Sequence, residues 1–339
     1  MTSIAWQQLG PPDIGCTGPC IGSRRKHRAW REARRFSSLT FACLAWFAAL
    51  AGGLAQVKYQ PGQSYFGRSN YIEYLAGDMP VILSAPHGGA LKPAEIPDRK
   101  SGEFISDACT EELARTVYQV FHDRFGHYPH VVICRLERRK LDVNRVREEA
   151  AGGDPSAEQA WQEYHGFIET ARSNALASTG KGFYIDLHGQ SNPIKRVELG
   201  YCLSESQLTN ADSVLNQPGY ADRSTVRGLA QRSHLPFAEL LRGTNSFGAL
   251  LAAKGYPAVP SPAMPSPGQG NYYFDGGYSV RRHCTANGNV IDGLQMELNL
   301  AGVRDAAANR TKFCLALAEV LDSFFRCHYH LDLKSGRAL

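Results

Sequence analysis

The sequence has no long hydrophobic run and lacks the composition of a disordered chain. It has no apolar run of the roughly 20 residues that a membrane-spanning helix needs. The run at residues 39–54 is shorter than that and contains Gly52 and Gly53. No internal repeat or long low-complexity tract follows residue 56. With 339 residues, 43% of them hydrophobic, the chain is long enough to bury a full core, and we expect it to be globular.

The basic surface that typifies nucleic-acid binding is also missing. The formal net charge is +5, and much of the excess lies in one N-terminal cluster: Arg24, Arg25, Lys26, Arg28, Arg31, Arg34 and Arg35. The remainder is close to balanced. A later basic segment, LERRKLDVNR, includes Glu137 and Asp142 and has no interleaved aromatic residue. We therefore predict no nucleic-acid partner.

The N-terminal segment has the pattern of a secretory signal. The basic cluster precedes the apolar run at 39–54, which ends in the small-residue pattern Gly53, Leu54, Ala55 that signal peptidase accepts. We predict a signal peptide over residues 1–55 and one catalytic domain over residues 56–339. The protein would then be exported, periplasmic or secreted, with no stable membrane association after cleavage. A membrane anchor is the alternative.

Cysteine spacing excludes a structural zinc finger in the mature chain. The six cysteines after residue 56 contain no C-x-x-C pair: Cys109, Cys134, Cys202, Cys284, Cys314 and Cys327. Their even number is compatible with disulfides, and buried free thiols are an equally good interpretation.

Apolar strand patterns alternate with helical patterns along the chain, which predicts an α/β fold. We expect a mixed central sheet with helices on both faces. The predicted strands are 79–85, 129–136, 182–187, 198–203 and 294–298, and the predicted helices are 107–125, 156–176, 237–254 and 306–325. The Pro- and Gly-rich stretch 257–277 is predicted to be a long loop.

Two histidines leave apolar strands at Gly-containing turns. His87 precedes Gly88 and Gly89, and His188 precedes Gly189. Ligands of α/β proteins bind at the carboxyl ends of strands, so both histidines are candidate metal ligands. Asp186 stands two positions before His188 and could orient its imidazole. Imidazole nitrogen and carboxylate oxygen suit zinc, and a catalytic zinc site needs three protein ligands.

Polar residues in two further apolar segments complete the candidate site. Glu297 lies inside the strand pattern LQMELNL, where burial of an unpaired carboxylate costs several kcal/mol. It is either a general base or one partner of a buried salt bridge. Asn144 and Arg145 offer an amide and a guanidinium that suit a substrate carboxylate, and pairing with Asp142 is the structural alternative.

Five motifs in order resemble those of the N-formylglutamate amidohydrolase family, which is similar in fold to the zinc carboxypeptidases. They are SAPHGG, DxxTEELA, LDVNR, YIDLHGQ and QMELN, and the resemblance covers about residues 80–325. It implies a zinc-dependent amidohydrolase with His87 and His188 as ligands, Glu297 as the base, and Arg145 with Asn144 binding a carboxylate.

The third ligand is less clearly marked by this resemblance. Zinc carboxypeptidases have a Glu three residues after the first His, and Ala90 stands there in this chain. Asp107 matches an acidic position of the amidohydrolases and is the predicted ligand, with Glu111 and Glu95 as alternatives.

The predicted activity is hydrolysis of an amide bond in a small-molecule or peptide substrate that carries a carboxylate. The bacterial formylglutamate enzymes act in the cytoplasm, whereas this chain is predicted to be exported, so its substrate can differ. The alternatives are a carboxypeptidase-like metallopeptidase, a cell-wall amidase, and a secreted metal-containing binding protein that has lost turnover.

The signal-peptide interpretation predicts a mature chain that begins near Gln56, because cleavage follows the small residues at the end of the apolar run. N-terminal sequencing of the exported protein measures this directly. Recovery of the protein with residues 39–54 intact would support the membrane-anchor alternative instead.

Overall fold

A computed structural model describes residues 58–285 and 291–339 of the chain. The predicted signal peptide, residues 1–55, lies outside the described residues. Within the described residues, no helix is both long and apolar enough to cross a membrane.

One mixed sheet organises the described residues. Its strands are β1 Ser64–Phe66, β2 Ile72–Leu75, β3 Val81–Ala85, β4 His130–Cys134, β5 Phe183–Gln190, β6 Val197–Gly200, β7 Ala258–Val259 and β8 Asp292–Asn299. Their order across the sheet is β1-β2-β4-β3-β5-β8-β6-β7. Strands β4, β3, β5 and β8 are parallel, whereas β2 and β6 run antiparallel to their neighbours β4 and β8. The predicted mixed α/β fold is confirmed.

Helices cover both faces of the sheet. The α-helices of the described residues are α1 Thr110–Phe125, α2 Arg147–Ala151, α3 Pro155–Thr179, α4 Glu205–Leu208, α5 Asp212–Leu215, α6 Pro218–Arg223, α7 Arg227–Arg232, α8 Phe237–Arg242, α9 Phe247–Ala253, α10 Tyr278–Val280 and α11 Ala307–Phe324. An apolar cluster lies on each face of the sheet, and alternate residues of β3 point to opposite faces. Val81 and Leu83 pack with α1 and α11 on one face, while Ile82 packs with α3 on the other.

The long helices begin and end where local chemistry dictates. Asp154 accepts a hydrogen bond from the backbone of Ala157 at 2.9 Å and caps α3, and Pro155 occupies its first turn. Helices α1 and α3 both end at a glycine in the left-handed region, Gly126 at φ 77° and Gly180 at φ 67°. Both helices follow the apolar periodicity that predicted them.

The prediction of a single helix over 237–254 is wrong. The segment forms α8 and α9, separated by a turn that begins at Gly243. Ser246 ends this turn, because its hydroxyl accepts a hydrogen bond from the backbone of Ala249 at 3.2 Å and caps α9. The apolar period continues through the turn, but glycine and the capping serine interrupt the backbone hydrogen bonds.

Strands β1, β2 and β7 were not predicted from the sequence, and β7 lies within the segment 257–277 that was predicted to be a loop. All four residues of β2 are buried, including Glu73, whose charge conflicts with a buried strand pattern. Arg115 from α1 compensates it by donating from Nη1 to Oε1 at 3.0 Å and from Nη2 to Oε2 at 2.5 Å. This partner lies 42 residues away, so a local pattern could not reveal it.

The cysteines of the described residues are all free thiols. Three are buried, namely Cys134, Cys284 and Cys314. Of the two interpretations of the cysteine count, free thiols is the one that agrees with the described residues.

Parallel strands bring the chemically interesting residues to one edge of the sheet. His87 follows β3, while His188 and Glu297 are paired neighbours near the carboxyl ends of β5 and β8. The turn after β3 is tight, since a Cβ on Gly88 would lie 2.5 Å from the backbone nitrogen of Glu111. A Cβ on Gly89 would lie 2.2 Å from the carbonyl carbon of Arg135. Only glycine lets this turn pack against α1 and the end of β4.

Candidate metal and active site

Three predicted ligands meet at the carboxyl edge of the sheet. His87, Asp107 and His188 are buried, and one donor atom of each lies within 4.8 Å of the others. Oδ2 of Asp107 is 3.1 Å from Nδ1 of His188 and 3.4 Å from Nδ1 of His87. The group could hold a metal ion through two imidazole nitrogens and one carboxylate oxygen.

The far side of each imidazole is held by a carboxylate. Nε2 of His87 donates to Oδ1 of Asp142 at 2.7 Å, and Nε2 of His188 donates to Oδ2 of Asp186 at 3.0 Å. When the rings are neutral, these contacts place their protons on Nε2, so both Nδ1 atoms face Asp107 as acceptors that could bind a cation. Asp186 therefore lies where the sequence predicted it.

His87 gives an independent reason to expect a ligand here. Its Nδ1 is buried and has no hydrogen-bond partner among the described residues. Buried polar atoms are nearly always paired, so an unpaired imidazole nitrogen facing Asp107 and His188 fits a metal ligand.

The charges of the site are strongly coupled. Burial alone would raise the pKa of Asp107, but His188 and His87 hold that pKa well below its ordinary value. Burial alone would lower the pKa of His188, but Asp186, Glu297 and Asp107 raise it well above its ordinary value. The carboxylates around His188 therefore favour a positive charge at this place, which either a proton or a metal ion could supply.

Glu297 is the titratable group best suited to proton transfer. It is 4% exposed, and its Oε1 lies 4.0 Å from Nδ1 of His188. Burial raises its pKa to about 7, an effect that the nearby His188 only partly opposes. Gln295, on the same face of β8, donates from Nε2 to Oε1 of Glu297 at 2.7 Å.

These residues face a cavity of about 260 Å³. Its lining includes Arg138, Asn144 and Arg145 on one side and the loop 273–277 on another. Arg138 donates from Nε to Asp142 at 3.0 Å, and Arg145 donates from Nη1 to the Asn144 carbonyl at 2.8 Å. Arg145 forms no salt bridge within the described residues, so its charge is available to a ligand.

Asn144 is engaged by the protein as well as lining the cavity. Its Oδ1 accepts a hydrogen bond from the backbone of Ser279 at 2.8 Å, and its Nδ2 lies 3.3 Å from Nε2 of His188. It therefore connects His188 on β5 to the segment that follows loop 273–277.

Loop 273–277 is anchored by β6. The backbone nitrogen of Phe274 donates to Oε2 of Glu198 at 3.1 Å, and the Tyr273 hydroxyl donates to the carbonyl of Leu199 at 2.6 Å. Glu198 is fully buried and also contacts Arg196 at 3.4 Å. Sequence analysis identified the long loop but not these anchors.

Neither alternative third ligand belongs to the metal-binding group. Glu111 accepts a hydrogen bond from Arg115 at 2.8 Å, one helical turn along α1. Glu95 accepts a hydrogen bond from the hydroxyl of Tyr71, away from the histidines. Asp107 is instead fixed toward the site, because its Oδ2 also accepts a hydrogen bond from the backbone of Gly189 at 3.0 Å.

Sequence analysis did not identify two further residues that support the site, Asp142 and Arg304. Asp142 was considered only as a partner of Asn144 and Arg145, yet it orients His87, and its place inside the apolar LDV segment was the available signal. Arg304 donates to the carbonyls of Ala108 and Leu298, which links the residues next to Asp107 and Glu297. No sequence pattern marked Arg304.

The ligand assignment predicts the metal content of four variants. His87→Ala, His188→Ala and Asp107→Ala should each lose most of one equivalent of zinc, since a three-ligand site binds weakly once a ligand is removed. Glu111→Ala is the matched control and should keep its zinc, because Glu111 pairs with Arg115. Metal analysis after dialysis against zinc-free buffer gives the result. Stoichiometric zinc in both histidine variants contradicts the assignment.

The chain matches no protein-family model and no curated protein. Among solved structures it is similar to N-formylglutamate amidohydrolase from Ralstonia eutropha JMP134, with 15% identity, 82% of this chain and 100% of that chain covered, and a TM-score of 0.45. A gene product of Agrobacterium tumefaciens shows 13% identity, coverage of 76% and 95%, and a TM-score of 0.44. An N-acetylmuramyl-L-alanine amidase from Mycobacterium smegmatis shows 12% identity, coverage of 73% and 97%, and a TM-score of 0.30. Since all three scores are below 0.5, these likenesses do not assign a function.

Proposed function

We propose that this protein is an exported zinc-dependent hydrolase that cleaves an amide bond in a substrate carrying a carboxylate. One observation carries the proposal: the buried group of His87, Asp107 and His188 faces the same cavity as the buried Glu297. A metal-binding group beside a carboxyl group with a pKa of about 7 is what hydrolysis by an activated water requires.

Zinc is the metal that we propose. Two imidazole nitrogens and one carboxylate oxygen are a common ligand set for catalytic zinc, which leaves a further position open for water or substrate. When bound, zinc would polarise the substrate carbonyl and acidify a water molecule. Asp142 and Asp186 would keep the imidazoles in the orientation that this requires.

Glu297 would perform both proton transfers. It takes a proton from the attacking water as the new carbon–oxygen bond forms, and it gives that proton to the leaving nitrogen as the carbon–nitrogen bond breaks. Without a metal, burial raises its pKa to about 7. A cation beside it would lower that pKa and favour the ionised form that accepts the proton. The hydrogen bond from Gln295 holds the carboxylate in place.

Arg145 would bind the substrate carboxylate. Its guanidinium lines the cavity, and a planar pair of N–H groups matches a carboxylate. Arg138 lines the same cavity but already donates to Asp142. Asn144 stands beside Arg145 and is proposed to complete the carboxylate site.

Three alternative functions differ from this proposal in their expected substrates or turnover: two are enzymatic, and one is binding without catalysis. A carboxypeptidase-like metallopeptidase would prefer peptides to small N-acyl amino acids, and a cell-wall amidase would release peptide from a glycan. A binding protein without turnover would have no use for a buried carboxyl group with a pKa near 7 beside the metal group. Metal-loaded protein assayed against all three substrate classes separates these functions.

Export is part of the proposal because of the signal pattern at residues 1–55. A protein acting outside the cytoplasm would meet extracellular acyl-amino acids, peptides or cell-wall amides. The N-terminus of the mature protein tests this part separately.

Replacing Glu297 by Gln should lower kcat by about a hundred- to ten-thousandfold while zinc content stays near that of the wild type. The substitution keeps the shape of the side chain and removes its ability to take a proton. Steady-state kinetics, metal analysis and thermal denaturation are measured on the same preparation. Turnover near the wild-type rate by a zinc-loaded Glu297→Gln protein excludes Glu297 as the base.

Glu73→Gln is the matched control for that experiment. Glu73 is also a buried strand glutamate, but it pairs with Arg115 away from the cavity. Removing one partner of such a pair lowers stability, so this variant should melt at a lower temperature and keep its kcat per folded molecule.

Replacing Arg145 by Lys should raise KM for carboxylate-bearing substrates about tenfold or more, because an ammonium group cannot reproduce the two-pronged contact of a guanidinium. The same substrates with the carboxylate amidated should respond much less. Steady-state kinetics on both forms gives the comparison. Equal losses on both forms indicate that Arg145 has a structural role.

A further inference from the structure

The side-chain oxygen of Gln295 is buried without a partner. Gln295 is 4% exposed and lines the cavity. Its Nε2 donates to Glu297, but its Oε1 has no hydrogen-bond partner among the described residues. An unpaired amide oxygen is unfavourable in a protein interior. In a cavity that receives a substrate, it marks the position of a missing donor.

The orientation of this amide follows from its neighbour. When Glu297 is ionised, as it must be to accept a proton from water, it only accepts hydrogen bonds, and the NH₂ end of Gln295 then faces it. The oxygen of the same amide makes no hydrogen bond to Glu297. It lies 2.7 Å from the position that a Cβ on Gly277 would take, and Gly277 is part of the cavity lining.

The proposed reaction places a donor next to this oxygen. Glu297 gives its proton to the leaving nitrogen, so that nitrogen must lie within hydrogen-bond distance of the carboxyl group. Gln295 donates a hydrogen bond to the same carboxyl group and lines the same cavity, so a nitrogen held by Glu297 would lie beside the Gln295 amide. As the nitrogen is protonated it becomes a stronger donor, and its hydrogen bond to Oε1 strengthens.

We propose that Gln295 is a specificity-determining residue whose Oε1 accepts a hydrogen bond from the N–H of the scissile amide. The site thereby selects amides that carry an N–H over the corresponding esters. This inference rests on the proposed function, because it takes the position of the leaving nitrogen from the role of Glu297. It assigns Gln295 a contact with substrate in addition to its contact with Glu297.

The test compares N-acetyl-L-glutamate with (S)-2-acetoxyglutarate, in which an ester oxygen replaces the N–H. Zinc-loaded wild type and Gln295→Met are assayed on both compounds. Loss of a hydrogen bond that the site was built to make is worth about ten- to a hundredfold. The ratio of kcat/KM for the amide to that for the ester should therefore fall by about tenfold or more in the variant. An equal loss on both compounds means that Gln295 only holds Glu297, and it overturns the proposal.

Gln190→Met is the matched control. Gln190 is a buried strand glutamine whose Nε2 donates to the Arg196 carbonyl at 3.0 Å and whose Oε1 accepts from the backbone of Asn192. It does not line the cavity, so its amide-to-ester ratio should equal that of the wild type. If Gln295→Met does not fold, Gln295→Asn replaces it. This variant keeps the amide but withdraws it by one methylene, and the same fall in the ratio is expected.

A wild type that hydrolyses neither compound would refute the proposed function for this substrate class. Binding of the same two compounds to the same zinc-loaded proteins is then measured by calorimetry. Binding of the amide about tenfold tighter than the ester by the wild type, lost in Gln295→Met, supports the role of Gln295 in the absence of turnover. Equal binding of the two compounds, or binding of neither, overturns it.

Discussion

The site depends on carboxylates that the fold buries around two imidazoles. Asp107 and Asp186 contact His188, Asp142 contacts His87, and Glu297 lies 4.0 Å from His188. Burying an ionised carboxylate without a partner costs several kcal/mol of folding free energy. Four carboxylates this close together therefore need positively charged groups beside them. Arg138 compensates Asp142. Between His87, Asp107 and His188 the positive charge is supplied by either a proton or a metal cation. This shared charge explains why the pKa values of Asp107 and His188 depend so strongly on each other.

The parallel part of the sheet supplies the geometry that this electrostatic arrangement needs. Strands β3, β5 and β8 are adjacent and end at the same edge, so His87, His188 and Glu297 meet although about a hundred residues separate each from the next along the chain. The glycines after His87 let the turn pack directly on α1 and on the end of β4. The strands set these positions, while loop 273–277, which is anchored on β6, forms part of the cavity lining.

Polar groups in the cavity fall into two kinds. Most are satisfied within the protein, as Asp107, Asp142 and Asn144 are by backbone or imidazole groups. Nδ1 of His87 and Oε1 of Gln295 are buried and unpaired within the described residues. The first lies among groups that could hold a metal, and the second belongs to the residue that donates to the proposed base. In the proposed reaction these two atoms would lie where the water is activated and where the nitrogen departs.

The sequence alone determined the features that local pattern encodes. Apolar runs marked β3, β4, β5, β6 and β8, and polar residues set in or directly after those runs marked His87, His188 and Glu297, because a buried polar side chain conflicts visibly with its neighbours. The tertiary structure decided what depends on the direction of side chains and on partners distant in sequence. It turned Asp107 rather than Glu111 or Glu95 toward the histidines, and it brought Asp142 to His87 across 55 residues. Neither contact could be read from periodicity, since periodicity assigns a residue to a face of its own element and leaves open which residue of another element it meets.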